Sequence, residues 1–152
     1  MNKLLVVFIA IIIVIAVAIV YSGSKGNLFG KKAEATFGET TVALDVADTP
    51  ESREKGLSGR NSLAEKAGML FIFDQPGVPS FWMKDMKFPI DIIFVNNDKI
   101  VTIYKNVPAP KNGETPSNYY QPTSPANRVI ELKAGMSDKY KLQVGNTVDL
   151  SL

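Results

Sequence analysis

Most residues whose chemical types could support binding or catalysis lie within segment 68–95 or shortly before it. Asp91 is a carboxylate inside an apolar run, and a charged group in a buried strand is stable only when it is paired and hydrogen-bonded. We expect Arg53, Arg60 or Lys84 to pair with this carboxylate inside the fold. The alternative is that Asp91 lines a pocket, where it would act as an acid, a base or a hydrogen-bond acceptor for a ligand.

Two arginines, Arg53 and Arg60, lie on either side of the turn Gly56–Gly59. The planar guanidinium group offers a fork of N–H donors that matches a carboxylate, whether from the protein or from a ligand. One interpretation is that both side chains tie a helix to the sheet. The other is that they clamp an anionic ligand.

Aromatic side chains form a third group of candidates. Trp82, the only Trp, lies in a strand-like run in which Phe81 and Met83 would share the opposite, core-facing side. Trp82 is then either a packing residue covered by the Pro-rich segment Asn106–Pro125 or a flat surface on which a sugar stacks. Tyr119 and Tyr120 are likewise either anchors of that segment or a ligand platform.

The absence of two residue types limits the available chemistry. The chain contains no Cys and no His, which excludes thiol nucleophiles, Ser-His-Asp triads, zinc sites of the usual kind and imidazole acid–base catalysis. No calcium-loop pattern is present, so we predict no metal and no cofactor. The enzyme class that remains uses carboxylates, for example a glycan-cleaving enzyme in which Asp91 works with Asp74 or Asp85. The sequence favours binding over catalysis.

Short strands must position these side chains. Alternating and fully apolar runs predict a mainly β fold, an antiparallel sandwich or barrel with one or two short helices. No segment is long enough for an obvious βαβ crossover, which is why we expect antiparallel pairing. The predicted strands are Thr36–Ala47, Met69–Phe73, Ser80–Lys84, Pro89–Val95, Lys99–Lys105, Arg128–Lys133 and Val148–Leu152.

Helix and turn signals separate the strands. Thr49 at the N-cap and Pro50 at the first helical position predict a short helix that ends at Gly56. A second short helix is predicted within Ala134–Leu142. Segment Asn106–Pro125 carries five of the nine prolines and is predicted to be a long loop that covers the site. Predicted turns are Asp74–Gly77 and Asn96–Asp98, and Ser62–Glu65 is predicted to add one helical turn.

The N-terminal region predicts a membrane anchor. Leu4–Tyr21 contains no charge, Gly or Pro, and as a helix it would span roughly 27 Å, close to the hydrocarbon thickness of a bilayer. The alternative is a cleaved signal peptide, because Ala16–Ala18 has the small-x-small form of a cleavage site. We therefore divide the chain into an anchor or signal at 1–21, a flexible linker at 22–33 and a single β domain at 34–152.

Location and charge indicate which partners to expect. A short leader before a long apolar segment favours a signal anchor with the domain outside the membrane, although Lys25, Lys31 and Lys32 place more positive charge after the anchor than before it. From Ala33 onward acidic residues outnumber basic ones, and no basic stripe is present. The membrane is therefore a predicted partner and nucleic acid is not.

Three blocks keep their order along the chain: Thr49–Arg60, Ala67–Val95 with FWMK at 81–84 and PIDIIF at 89–94, and Asn127–Val148 with RVIEL at 128–132 and Val144-Gly145. Together they resemble domain of unknown function family 192. This family implies a compact β-sandwich-like fold of jelly-roll type, often behind an export signal or membrane anchor, and no assigned activity. The chain departs from the family at Asp85-Met86, where Asn-Thr is frequent, and at Pro79, where His is frequent.

We expect a non-catalytic, membrane-anchored extracytoplasmic domain that binds an envelope glycan or a partner protein. The alternatives are a structural or assembly protein of the cell envelope and the carboxylate-dependent enzyme. The candidate ligand-binding residues are Arg53, Arg60, Trp82, Lys84, Asp91, Tyr119 and Tyr120.

Overall fold

The computed structural model describes residues 28–111 and 114–152. The predicted membrane anchor lies outside these residues, and no helix within them is long and apolar enough to cross a membrane. The described chain forms seven strands and two short helices. They are β1 (Lys32–Phe37), β2 (Thr40–Ala47), α1 (Pro50–Lys55), β3 (Ala67–Gly77), β4 (Ile90–Asn96), β5 (Lys99–Val107), β6 (Ala126–Lys133), α2 (Met136–Lys139) and β7 (Asp149–Ser151).

The described strands form one curled sheet, a half-barrel, in the order β5-β4-β6-β3-β2-β1-β7. This confirms the mainly β prediction with few short helices. All neighbouring strands run antiparallel except β2 and β3, which pair in parallel from Ala43–Ala67 to Ala47–Phe71. The expectation of purely antiparallel pairing was wrong. Segment 48–66, with the six-residue α1, makes the crossover, and its single short helix gave no βαβ pattern.

The curl brings the two edges of the sheet together at one end. Lys99 at the start of β5 forms an isolated bridge with Thr147, just before β7. The N–H of Ile100 donates to the carbonyl of Asn146 at 3.0 Å, and the N–H of Val148 donates to the carbonyl of Asp98 at 2.8 Å. The inner face of the sheet thus surrounds one of the two hydrophobic cores.

Both faces of the sheet are buried, and β4 shows this most clearly. Ile93 and Val95 contribute to the inner core, whereas Ile92 and Phe94 contribute to a second core on the outer face. The outer core is covered by the crossover and by segment 78–89, which contributes Met83, Met86 and Phe88. The chain has two cores because the crossover and this segment lie over the outside of the curl.

Helix α1 begins where local sequence predicted it. The Thr49 hydroxyl accepts a 3.2 Å hydrogen bond from the N–H of Ser52, and the Ser52 hydroxyl accepts a 3.0 Å bond from the N–H of Thr49. This reciprocal capping satisfies two donors that a helix start otherwise leaves unpaired. Pro50 occupies the first turn, and Gly56 ends the helix at a φ of 46°.

Four other predictions need correction. The first predicted strand is a hairpin, because Gly38 adopts a φ of 59° and lets β1 turn into β2. The predicted turn Asp74–Gly77 belongs to the end of β3. Ser80–Lys84 is not a strand, since only Phe81 makes a bridge there. Ser62–Glu65 is not helical.

Candidate functional site

An antiparallel bridge joins segment 78–89 to the Pro-rich segment Asn106–Pro125. Phe81 and Tyr120 exchange two backbone hydrogen bonds, of 2.9 and 2.8 Å. The Phe81 ring meets Phe71 edge-on with centroids 4.9 Å apart and Phe94 at 5.7 Å. The Tyr120 ring meets Tyr104 at 5.2 Å. Both bridge residues are therefore fixed with their rings towards the outer core.

This register places Trp82 opposite Tyr119, because each is next to a bridge residue on an antiparallel segment. Their side chains point away from the outer core, since neighbouring side chains on an extended segment alternate between its two faces. The two rings stack with centroids 5.9 Å apart and planes 10° apart. The Lys84 ammonium lies 5.4 Å from the centroid of Trp82. The side chains of Trp82 and Tyr119 are 39% and 63% exposed. We call these two residues the aromatic platform.

Trp82 of the aromatic platform lines a cavity of about 310 Å³, which we call the Trp82 cavity. At its rim, the Ser58 hydroxyl donates to the carbonyl of Lys84 at 2.8 Å, and the N–H of Gly59 donates to the carbonyl of Asp85 at 2.9 Å. The crossover and segment 78–89 are therefore tied together there. The cavity is lined by Arg53, Glu54, Lys55, Gly56, Leu57, Ser58, Phe71, Phe73, Pro79, Ser80, Phe81, Trp82, Met86 and Glu131.

Arg53 reaches from α1 to the sheet. Its Nη1 donates to the carbonyls of Asp48 at 2.9 Å and Ile72 at 2.8 Å, and its guanidinium lies 5.2 Å above the Phe73 ring. These contacts support the prediction that Arg53 ties the helix to the sheet. Because Arg53 also lines the Trp82 cavity, its charge contributes to that site as well.

Glu131 lines the Trp82 cavity, and the sequence analysis did not select it. It lies on β6 opposite Met69 on one side and Ile92 on the other, and it is 6% exposed. Among the described residues, no hydrogen bond reaches its carboxyl group. Burial raises the pKa of Glu131 to about 8, and the positive charge of Arg60 opposes this only in part. The one indication of Glu131 in the sequence was its position among apolar residues in the predicted strand Arg128–Lys133.

Asp91 is fully buried, and no arginine or lysine pairs with it among the described residues. Its carboxylate accepts backbone hydrogen bonds from Asn106 at 2.7 Å, Gly135 at 3.2 Å and Ser137 at 2.7 Å. The predicted ion pair with Arg53, Arg60 or Lys84 was therefore wrong. Backbone N–H groups replace it, as they do for many buried carboxylates. The carboxylate joins β4 to the end of β5 and the start of α2, away from the Trp82 cavity.

Arg60 forms an ion pair with Asp45 at 2.6 Å, and its guanidinium lies 5.4 Å above the Phe29 ring. Asp45 also pairs with Lys32. Partial burial opposes ionisation of Asp45, but the hydrogen bonds from Lys32 and Arg60 outweigh it and lower its pKa. Both residues line a second cavity, of about 430 Å³, that includes Gly68. Arg60 is thus a structural partner of β2.

The seven predicted site residues are therefore divided by the fold. Tyr120 lies behind the aromatic platform, while Arg60 and Asp91 lie elsewhere. Within 28–111 and 114–152, no group of three or more carboxylates is arranged to hold a metal ion. The residues brought together at the platform and its cavity are Arg53, Trp82, Lys84 and Tyr119, with Glu131 added by the structure.

The geometry can be set beside what is known of similar proteins. The family model for DUF192, described as Uncharacterized ACR, matches residues 32–150. The chain belongs to the DUF192 family. The matched range of this DUF192 domain begins with β1 and ends within β7, so it contains the Trp82 cavity.

Two solved structures share the fold of this DUF192 protein. A protein of unknown function from Novosphingobium aromaticivorans is 25% identical, with a TM-score of 0.67, covering 78% of this chain and 83% of that chain. A "putative transcription regulator" from Sinorhizobium meliloti is 26% identical, with a TM-score of 0.67, covering 78% of this chain and 91% of that chain. None of the curated proteins matches the chain.

Proposed function

We propose that this protein is a non-catalytic binding domain, anchored through Leu4–Tyr21 on the outer side of the membrane, whose ligand is an envelope glycan. The observation that carries the proposal is the aromatic platform at the rim of the Trp82 cavity. An exposed aromatic face packs against the apolar C–H face of a sugar ring, and a Trp or Tyr edge remains in water.

The position of the aromatic platform supports this proposal. Large apolar side chains that stay exposed and are held rigid are characteristic of binding surfaces. The backbone bridge Phe81–Tyr120 holds Trp82 and Tyr119 in place before any ligand arrives. A preorganised surface loses little conformational entropy on binding, which favours recognition of a flexible glycan.

Trp82 is the only Trp in the chain, so intrinsic Trp fluorescence reports on this site alone. We expect soluble oligosaccharides prepared from an isolated cell envelope to change this fluorescence in a saturable way when added to the full chain in detergent. Tyr119→Ala should weaken binding about five-fold, because one stacked ring contributes roughly 1 kcal/mol. The measurement is a fluorescence titration of each variant.

Two matched variants serve as controls. Tyr119→Phe keeps the stacked ring and should bind like the parent. Val144→Ala truncates an equally exposed apolar side chain in the turn between α2 and β7, outside the aromatic platform, and should also bind normally. If Tyr119→Ala binds as tightly as the parent, the platform is not the binding surface. If the envelope preparation yields a protein ligand instead, the partner-protein alternative replaces the glycan.

One observation favours a second candidate, the carboxylate-dependent glycan-cleaving enzyme. The Trp82 cavity is lined by two carboxylates in unlike environments, buried Glu131 and exposed Glu54. Such a contrast is what an acid and its partner carboxylate require. The pairs that the sequence suggested fit less well, because Asp91 is fully buried and accepts three backbone hydrogen bonds, whereas Asp74 and Asp85 are exposed. Release of reducing ends from the same oligosaccharides, abolished by Glu131→Gln, would establish this activity.

A further inference from the structure

Glu131 is 6% exposed and lines the Trp82 cavity, and among the described residues no hydrogen bond from the protein reaches its carboxyl group. The apolar side chains that line the same cavity include Phe71, Phe81, Leu57 and Met86. A carboxyl group that receives no hydrogen bond from the protein takes its partner from water or from a ligand. Because Glu131 lines an open cavity, a ligand entering it can supply the missing partner.

We infer that the Trp82 cavity recognises an N-acetylated sugar, with the acetamido group hydrogen-bonded to the Glu131 carboxyl and the sugar ring against the part of Trp82 that lines the cavity. This inference rests on the proposed glycan-binding function and adds the chemical class of the sugar. The cavity volume of about 310 Å³ is at the lower end for ligand pockets, so it suits a single sugar unit of a longer glycan.

The chemistry of the acetamido group matches the cavity in two respects. A protonated carboxyl has one O–H donor and one carbonyl acceptor, and an acetamido group has one carbonyl acceptor and one N–H donor, so the two groups can form a pair of hydrogen bonds. The acetamido methyl group would then contact the apolar wall formed by Phe71, Phe81 and Met86.

Charge around the cavity argues against a cationic ligand group in this position. Arg53 and Lys55 line the cavity as cations, and Glu54 lines it as an anion. The positive charge of Arg60, just after the turn Gly56–Gly59, also acts on Glu131. Two of the three charged side chains at the rim are therefore positive. A neutral hydrogen-bonding group meets no such repulsion, which favours an amide over an amine.

The test compares two trimeric sugars that differ in the acetamido group, the N-acetylglucosamine trimer and cellotriose, by Trp82 fluorescence on the full chain. We expect the N-acetylglucosamine trimer to bind at least ten-fold more tightly. Glu131→Gln keeps a donor and an acceptor and should retain this preference. Glu131→Leu keeps the volume but removes both groups, so it should bind the two trimers alike.

A pH profile provides a second readout that does not depend on Glu131→Leu folding. Affinity of the parent for the N-acetylglucosamine trimer should be steady at acidic and neutral pH and fall above about pH 8, where Glu131 loses its donor proton. Glu131→Gln should show no such fall. If both trimers bind equally to the parent, acetamido recognition is refuted while glycan binding stands. If neither trimer binds, both proposals fail for these sugars.

Discussion

The carboxylate of Asp91 on β4 accepts a 2.7 Å hydrogen bond from the backbone N–H of Ser137 in α2. The same carboxylate also receives the N–H groups of Asn106 and Gly135. One fully buried side chain therefore satisfies three backbone donors from two segments that are distant in the sequence. A buried charge held in this way makes the surrounding fold depend on it.

Asp91→Ala should lower the free energy of unfolding by about 3–5 kcal/mol, because it leaves three backbone N–H groups, one of them buried, without their acceptor. Asp91→Asn should cost less, since one acceptor oxygen remains. Urea denaturation followed by circular dichroism would measure both. The exposed Asp74→Ala is the matched control and should change stability by less than about 0.5 kcal/mol. Equal stability of Asp91→Ala and the parent would show that these contacts do not support the fold.

Glu131 should make the protein less stable as the pH rises. Its pKa is about 8 in the folded protein against an ordinary value of 4.5, so between these values the unfolded chain has lost a proton that the folded protein keeps. Stability therefore falls across this window by up to about 1.4 kcal/mol per pH unit.

We expect Glu131→Gln to lack this slope and to be more stable than the parent at pH 8. The measurement is urea denaturation of both proteins at several pH values, with the exposed Glu54→Gln as control. The contributions of the other titrating groups to the pH dependence of stability cancel in the difference between parent and variant. A constant difference from about pH 5 to about pH 8 would contradict the raised pKa.

Gly68→Ala should destabilise the sheet by about 1–3 kcal/mol, because β3 passes too close to its neighbours for a side chain. An added Cβ would lie 2.6 Å from the carbonyl oxygen of Glu131 and 2.7 Å from Leu44 Cδ2. Gly77→Ala, in the same strand, is the control, since nothing lies within 4 Å of its added Cβ. In thermal unfolding, Gly68→Ala should have the lower melting temperature of the two variants. Similar melting temperatures would count against the close approach at Gly68.

Arg60→Met should reduce stability at neutral pH by about 1 kcal/mol and have little effect in acid. The pairing with Arg60 and Lys32 lowers the pKa of Asp45, so the stabilising contribution is complete above the ordinary value of 3.8. It is lost as the pH falls through the lowered pKa of the folded protein. Denaturation of parent and variant at pH 7 and in acid gives the comparison, and an equal loss at both would assign the effect to packing on Phe29 instead.

The sequence predicted those parts of the fold that depend on nearby residues. Thr49, Pro50 and Gly56 defined α1 because a helix cap is a local interaction. The buried strand β4 was evident from its apolar run. The partners of Asp91 could not be predicted, since they are backbone groups contributed by the end of β5 and by α2, and every residue type carries such groups.

The candidate site was predicted only in part for a related reason. Trp82 and Tyr119 were each selected, but their stacking depends on one bridge, Phe81–Tyr120, whose register no local pattern specifies. Glu131 was missed because a carboxylate in an alternating strand is typical of a solvent-facing position. It is buried here because the crossover and segment 78–89 cover the outer face of the sheet.

The hydrogen bonds from Ser58 and Gly59 to the carbonyls of Lys84 and Asp85 have a consequence for engineering this domain. The two segments that border the Trp82 cavity are joined at two backbone carbonyls, one of which accepts from the Ser58 side chain and the other from the backbone N–H of Gly59. If only one segment were transplanted from a relative, the donors of one segment and the carbonyls of the other could fall out of position. The turn Gly56–Gly59 and segment 78–89 should therefore be exchanged together, as one cassette.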